Sequence, residues 1–374
     1  MHTGVHWPAT EIMDKNLDNI AAGSGKKSLE GVETGKSPNF AKIVWKRLKR
    51  DQFAMLGLYI VLTLFVISYF APVIANNKPI IMLYEDRWYF PAPAELAPFK
   101  WIIKHPELKK LDFSIVKYDK SKALLMPPIP YSPYEIRLVE KLQPPSHKHI
   151  MGTDDLGRDV AARMIHGAGV SLKVGFVAVA IALIIGVIAG ALAGYYGGWI
   201  DMVTSRLIEI VMCFPFFFLI LAVIAFLPPS IYNIMIVIGI TRWTSIARYT
   251  RGEFIRLKNQ EFAEAARALG VLDRKIIFRH ILPNSLAPVL VSATFGIANA
   301  ILIEAALSFL GLGIQPPTAS WGGILALAKQ FIEVAWWLAT FPGLAIFITV
   351  TAYNILGEGL RDATDPRISL PGKQ

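Results

Sequence analysis

Residues 174–193 read VGFVAVAIALIIGVIAGALA, twenty residues without one charge. A run of ~18 or more apolar residues spans the hydrocarbon of a bilayer as a helix. Only a helix or a closed barrel satisfies its own backbone donors and acceptors there. This run is not isolated. Hydrophobic residues make up 54% of the 374-residue chain and charged residues 18%, a balance that excludes an ordinary soluble domain.

The pattern predicts an all-α membrane protein with six spans, over about 53–75, 170–196, 207–227, 230–248, 285–309 and 335–357. The third ends at Pro228-Pro229, and the fourth carries Arg242 and Arg248 in its second half. Residues 1–38 are polar and aperiodic, and are expected to be a disordered leader. Residues 39–52 put Phe40, Ile43, Val44 and Leu48 on one face and five Lys/Arg on the rest, the pattern of an amphipathic helix in the membrane interface. Residues 76–169 form a long insert with many prolines and scattered aromatics, expected to be a small irregular extracytoplasmic subdomain. Residues 170–357 hold the five-helix core, with a loop at 249–284, and 358–374 form the tail.

The formal charge is +10. Here the basic residues read as membrane-facing rather than nucleic-acid-binding. Arg251, Arg256, Lys258, Arg267, Arg274, Lys275 and Arg279 crowd the 249–284 loop, so positive-inside places that loop and both termini in the cytoplasm. The Lys-rich insert does not oppose this, because loops longer than ~60 residues translocate largely regardless of charge. The single cysteine, Cys213, reads as a small packed hydrophobe.

Other motifs are weaker. GVETGKS (31–37) is one residue short of a phosphate loop and follows no strand, so it carries no nucleotide reading. His147 and His149 form an HxH pair with no further ligand nearby, which reads as exposed loop rather than metal site. Asp154, Asp155, Arg158 and Asp159 read as a loop-shaping charge cluster. Gly186, Gly190 and Gly194 have small-xxx-small spacing, read as packing between subunits. Glu304 is an intramembrane carboxylate and a candidate for the translocation path, with the alternative that, near the outer end of its span, it reaches the interface or bonds a neighbouring span. No catalytic triad or zinc spacing is evident, so an enzyme reading has no residues to stand on.

The most informative stretch is 259–284, NQEFAEAARALGVLDRKIIFRHILPN. Asn259 can cap a helix whose first turns carry Glu261 and Glu264. Gly270 can stop it, and Asp273 can cap a second short helix ending before Pro283. Ala265 and Ala266 offer small faces on which a partner protein could sit closely.

Glu264-Ala265-Ala266, Gly270 and Leu282-Pro283 at this spacing resemble the EAA loop of binding-protein-dependent ABC permeases. Residues 149–175, 307–325 and 354–367 resemble the oligopeptide/dipeptide/nickel branch, with Glu358 where Asp is expected. The resemblance covers roughly 40–75 and 149–367, and implies the ABC importer permease (MetI-like) fold in a bacterial or archaeal plasma membrane. It implies that Glu264, Ala265, Ala266, Gly270, Leu282 and Pro283 couple to an ATPase. It also implies a second homologous permease, two ATPase subunits that hold ATP and Mg, and an extracytoplasmic solute-binding protein. No cofactor is expected on this chain. The rival reading, a secondary transporter or channel, leaves the EAA loop unexplained.

Topology is checked by cysteine labelling in a Cys213-free background. A probe at position 258 is expected to label only after permeabilisation, and one at 120 in intact cells.

Overall fold

The computed structural model describes residues 40–84, 87–96, 99 and 121–365. The expected leader and the last nine residues of the tail lie outside these. The chain divides into two units, Met1–Arg47 and Leu48–Gln374. Helix α1 (Phe40–Leu48) carries Lys46 and Arg47 in its last turn. It ends at Leu48, short of the expected 52, and position 39 lies outside the described residues.

Helix α2 (Gln52–Tyr69) begins where Asp51 caps it, accepting from the amides of Phe53 at 2.9 Å and Ala54 at 3.1 Å. A short turn, α3 (Ala71–Ile74), follows. The insert then departs from the irregular structure expected of it. Strands β1 (Ile81–Tyr84), β2 (Arg87–Tyr89) and β3 (Ser121–Leu125) form an antiparallel sheet in the order β2-β1-β3. Met82 and Tyr89 make its small core, with Tyr84 and Leu124 against them.

From Val160 onward the described chain is mainly helical, in long and short pieces. They are α4 (Val160–Tyr196), α5 (Gly198–Cys213), α6 (Phe216–Ala225) and α7 (Ile231–Lys258). Then come α8 (Glu261–Ala268), α9 (Asp273–Lys275), a π turn (Ile276–Ile281), α10 (Leu282–Phe309), α11 (Trp321–Phe331) and α12 (Trp337–Thr364). Among the described residues, α2, α4, the continuous run Asp273–Phe309 and α12 are long and apolar enough to cross a membrane. The α5–α6 pair is a fifth if counted as one span bent by 83°. The bend falls at Phe214-Pro215, where proline lacks the N–H that would continue the ladder. Helix α7 is 28 residues long, but Arg242, Arg248, Arg251 and Arg256 make it less apolar than those helices. Cys213 ends α5 on an exposed surface, and so is not a packed hydrophobe within this chain.

The glycines of α4 pack within the chain rather than waiting for another subunit. A Cβ on Gly186 would lie 2.8 Å from the Trp243 carbonyl oxygen. On Gly190 it would lie 2.4 Å from the Ala247 oxygen, and on Gly194 2.7 Å from the Arg251 oxygen. Each obstacle is backbone of α7, so α4 and α7 meet along a seam only glycine allows. Gly239 of α7 returns the contact, 2.8 Å from the Ala178 oxygen.

The insert end is pinned by the 149–159 segment. Asp154 is fully buried, accepts from Arg158 Nε at 2.7 Å, and lies 3.5 Å from Arg163 Nε. Asp159 caps α4 by accepting from the Ala162 amide at 2.7 Å, and its other oxygen meets His149 Nδ1 at 2.8 Å. His149 is therefore buried, not exposed as its loop position suggested, with Nε2 3.1 Å from Glu140. No group of three or more possible metal ligands occurs among the described residues. Burial pushes the Asp159 carboxyl above its ordinary range, whereas the hydrogen bond from Lys148 pulls Glu140 below. Trp337 closes the knot by donating from Nε1 to the Thr153 carbonyl at 3.0 Å.

Replacing Gly190 by Val is expected to lower stability by about 1–3 kcal/mol, because the obstruction is backbone that cannot rotate away. Gly252 on the same helix pair has nothing within 4 Å of its Cβ position, so Gly252→Ala is the control and is expected to be neutral or stabilising. Thermal unfolding of the detergent-purified protein reads both.

Candidate functional site

The end of the bundle opposite the insert carries α8, and its shape follows from local chemistry. Gln260, not Asn259, is the N-cap, while Asn259 closes α7. Glu261 and Glu264 lie in the first turn, where carboxylates suit the helix dipole. The helix stops in a Schellman motif: the Val271 amide donates to the Ala266 carbonyl and the Gly270 amide to that of Arg267, both at 3.0 Å. Gly270 takes φ +72°, the left-handed conformation expected of it.

One side of α8 seats it. Ala263 and Ala266 are buried, and Ala266 packs with Phe254 and Leu257 of α7 and with Ile276, Ile277 and Ile281 of the π turn. Ala266 therefore faces its own chain, which corrects the reading of it as a partner-facing surface. Ala265 does face outward, beside Glu264. The sequence reading missed what lies next to them. Leu269 is 82% exposed and Leu272 78%, with Phe262 and Phe278 also outward. Two leucines flanking a helix-stopping glycine, with no apolar periodicity to bury them, were the available signal.

Leu282 and Pro283 open α10, but Pro283 ends nothing. The helix runs from Asp273 through it to Phe309. The π turn immediately before it absorbs the register change that a proline without its N–H imposes. Asp273, which was expected to cap this helix, is its first residue, after Leu272. Its carboxylate accepts from the Tyr195 hydroxyl at 2.6 Å, and Lys258 donates to the Tyr195 carbonyl at 3.2 Å. These bonds tie the ends of α4 and α7 to the α8–α10 connection. Nearby, Arg251 holds Asp201 of α5 in a two-bond ion pair, with Nη2 to Oδ2 at 2.7 Å.

Glu304 and Arg242 are charged side chains placed along the lengths of α10 and α7. Glu304 of α10 is fully enclosed, accepting from Ser308 Oγ at 2.8 Å and from Ser171 Oγ of α4 at 3.4 Å. Arg242 of α7 is half-buried, and its guanidinium lies 4.6 Å from the Phe216 ring centroid at the start of α6.

Residues 172–370 match the family described as the binding-protein-dependent transport system inner membrane component. Residues 39–93 match the N-terminal transmembrane domain of oligopeptide transport permease C. The dipeptide transport system permease protein DppC of Alkalihalophilus pseudofirmus is 47% identical over 247 residues, 66% of this chain and 81% of that protein. The glutathione transport system permease protein GsiD of Escherichia coli is 46% identical over 224 residues, 60% of this chain and 74% of that one. A chain from a methionine ABC transporter, MetNI, in inward-facing conformations aligns with a TM-score of 0.42 and 17% identity, over 53% of this chain and 95% of that one. The chain belongs to the binding-protein-dependent ABC transport permeases, within the oligopeptide/dipeptide type.

Gly270→Val is expected to cost about 1–2 kcal/mol locally, because the Cβ meets open space and only the positive φ resists it. Gly270→Asn is expected to cost less. Limited proteolysis of the 260–275 segment is the measurement, with faster cleavage in the Val variant.

Proposed function

We propose that this chain is one of two pore-forming permeases in an ATP-driven importer of peptides or a related small solute. The dipeptide and glutathione permeases among its relatives support the solute class. Six spans cross the membrane: α2, α4, the bent α5–α6 pair, α7, α10 and α12. Both termini and α8 are cytoplasmic, in the plasma membrane of a bacterium or archaeon. A second homologous permease completes the pore. Two ABC ATPases bind ATP and Mg beneath it, and an extracytoplasmic solute-binding protein delivers the solute. This chain hydrolyses nothing.

The observation that carries the reading is a small helix rooted at one side and bare at the other. Ala263 and Ala266 root α8 on α7 and the π turn, while Glu264, Ala265, Leu269 and Leu272 are left outward. Exposed leucines beside a first-turn carboxylate suit an apolar, positively rimmed groove on another protein. Closure of the ATPases moves α8. Because α8 rests on α7 and on the root of α10, both helices follow, and the pathway changes the side to which it opens. Glu264, Ala265 and Gly270 shape the contact. Leu282 and Pro283 hold the root of α10.

Leu269→Asp and Glu264→Lys are expected to leave membrane insertion and pairing with the second permease intact. Each should weaken ATPase retention by about tenfold or more. The measurements are ATPase subunits retained per permease after purification, binding-protein-stimulated hydrolysis and solute uptake. Normal values of all three in both variants would overturn the coupling reading.

A further inference from the structure

Arg242 lies well inside the bundle. It follows the first residue of α7 by eleven positions, about 17 Å along the axis. Asn299 sits ten residues before the end of α10, about 15 Å from that end. The two helices run in opposite directions, so both residues fall at a similar depth, midway along the spans. A recess of about 120 Å³ lies there between α4, α7 and α10; Arg242, Ser245, Ser292 and Asn299 are its polar lining, and the rest of its wall is apolar or glycine, with Ala178 and Val179 contributed by α4. Ser292, Gly296 and Asn299 follow one another at four- and three-residue steps, which puts them on one face of α10.

The guanidinium has no carboxylate partner among the described residues. Its recorded contact is the face of Phe216. Every other arginine on α7 stands nearer the loop end: Arg251 pairs with Asp201 and Arg256 with Glu253, while Arg248 contacts Met212. A cation held at mid-depth without a counter-charge is costly, and such residues mark solute or ion pathways. The guanidinium carbon lies over the Phe216 ring, and among the described residues no hydrogen bond from the Arg242 N–H groups accompanies that contact, so they remain available to donate. Ser245 and Asn299 are exposed at the rim, and Asn299 spends its amide N–H on the Phe295 carbonyl at 3.1 Å, keeping its oxygen as an acceptor.

We propose that Arg242 is a specificity-determining residue of the translocation path, receiving a carboxylate of the transported peptide as it passes the middle of the membrane. The proposal rests on the peptide reading given above. The recess has room for a carboxylate and the carbon that bears it, not for a whole peptide. The rest of the solute extends past the exposed rim, where Ser245, Ser292 and Asn299 offer neutral hydrogen bonds that tolerate varied chains. A planar fork of donors is the group suited to a carboxylate, and its charge disfavours a cationic terminus at the same point.

The test uses the whole complex, both permeases with the ATPases and the binding protein, reconstituted in proteoliposomes. The probe is radiolabelled trialanine. Uptake, binding-protein-stimulated ATP hydrolysis and subunit retention are measured for wild type, Arg242→Gln and Arg242→Lys. The Gln variant is expected to keep every subunit and to hydrolyse ATP, but to lose uptake by about tenfold or more, the loss of one charged hydrogen-bonded contact. The Lys variant is expected to recover part of it. Uptake by the Gln variant equal to wild type overturns the proposal. So does loss of the second permease from the Gln complex, which would make Arg242 half of an ion pair between subunits. Absence of trialanine uptake by the wild type counts against the peptide reading itself, and the proposal falls with it.

Discussion

The contact between α4 and α7 organises the rest of the chain. Three glycines at four-residue spacing bring α4 onto the carbonyls of Trp243, Ala247 and Arg251. In lipid there is little hydrophobic force between helices, so close van der Waals contact and satisfied polar groups must hold them. The seam supplies the first. The second is concentrated at the ends: the Asp154 and Asp159 knot where α4 begins, and the Tyr195–Asp273 and Lys258–Tyr195 bonds where it finishes. Glu304 adds one enclosed junction between α4 and α10. Polar bonding is thus placed at helix ends and one internal node, while the exposed faces of the spans, such as Ile184, Ile188 and Phe347, stay apolar.

Local chemistry was legible in the sequence and three-dimensional facing was not. Gly270 could be read as a helix stop because the left-handed conformation is a property of the residue and its neighbours. The charge cluster at 154–159 could be read as a loop-shaping device because Asp and Arg that close together must pair. Ala266 could not be turned the right way, since which alanine faces inward depends on Phe254 and Ile276, brought there by other helices. His149 looked like exposed loop because neither Glu140 nor Asp159 is adjacent to it. The same limit explains the small-xxx-small stripe. Its spacing announces a close approach but does not name the partner helix.

The bent span shows a different failure. The third span was expected to begin near 207, whereas helix α5 already begins at Gly198 and carries Asp201, Arg206 and Glu209. Arg251, fifty residues away, satisfies Asp201, and Arg206 pairs with Glu209 three residues on. Charges that are paired within the fold no longer argue against a helix. Arg242 is the converse case. In the sequence it weakened the fourth span as an apolar segment, and in the fold no carboxylate among the described residues pairs with it.

These features share one mechanical line. From Arg242 to Lys258 helix α7 is unbroken, about 24 Å of continuous hydrogen-bonded rod. Its far end carries the seat of α8, and its near part faces the recess. Along that length the glycine seam sets α4 against the carbonyl oxygens of α7 and the Cβ atoms of Ile246, Thr250 and Phe254, a close contact that resists sliding of one helix on the other. The compliant element lies on the other side of the seat, where the π turn Ile276–Ile281 and Pro283 interrupt regular pairing at the root of α10. Under the proposed coupling role, a force arriving at α8 would meet a stiff pair, α4 with α7, and a softer joint below α10. On that proposal the relative movement would be α10 against that pair, which is the movement that would open or close a recess bounded by those helices.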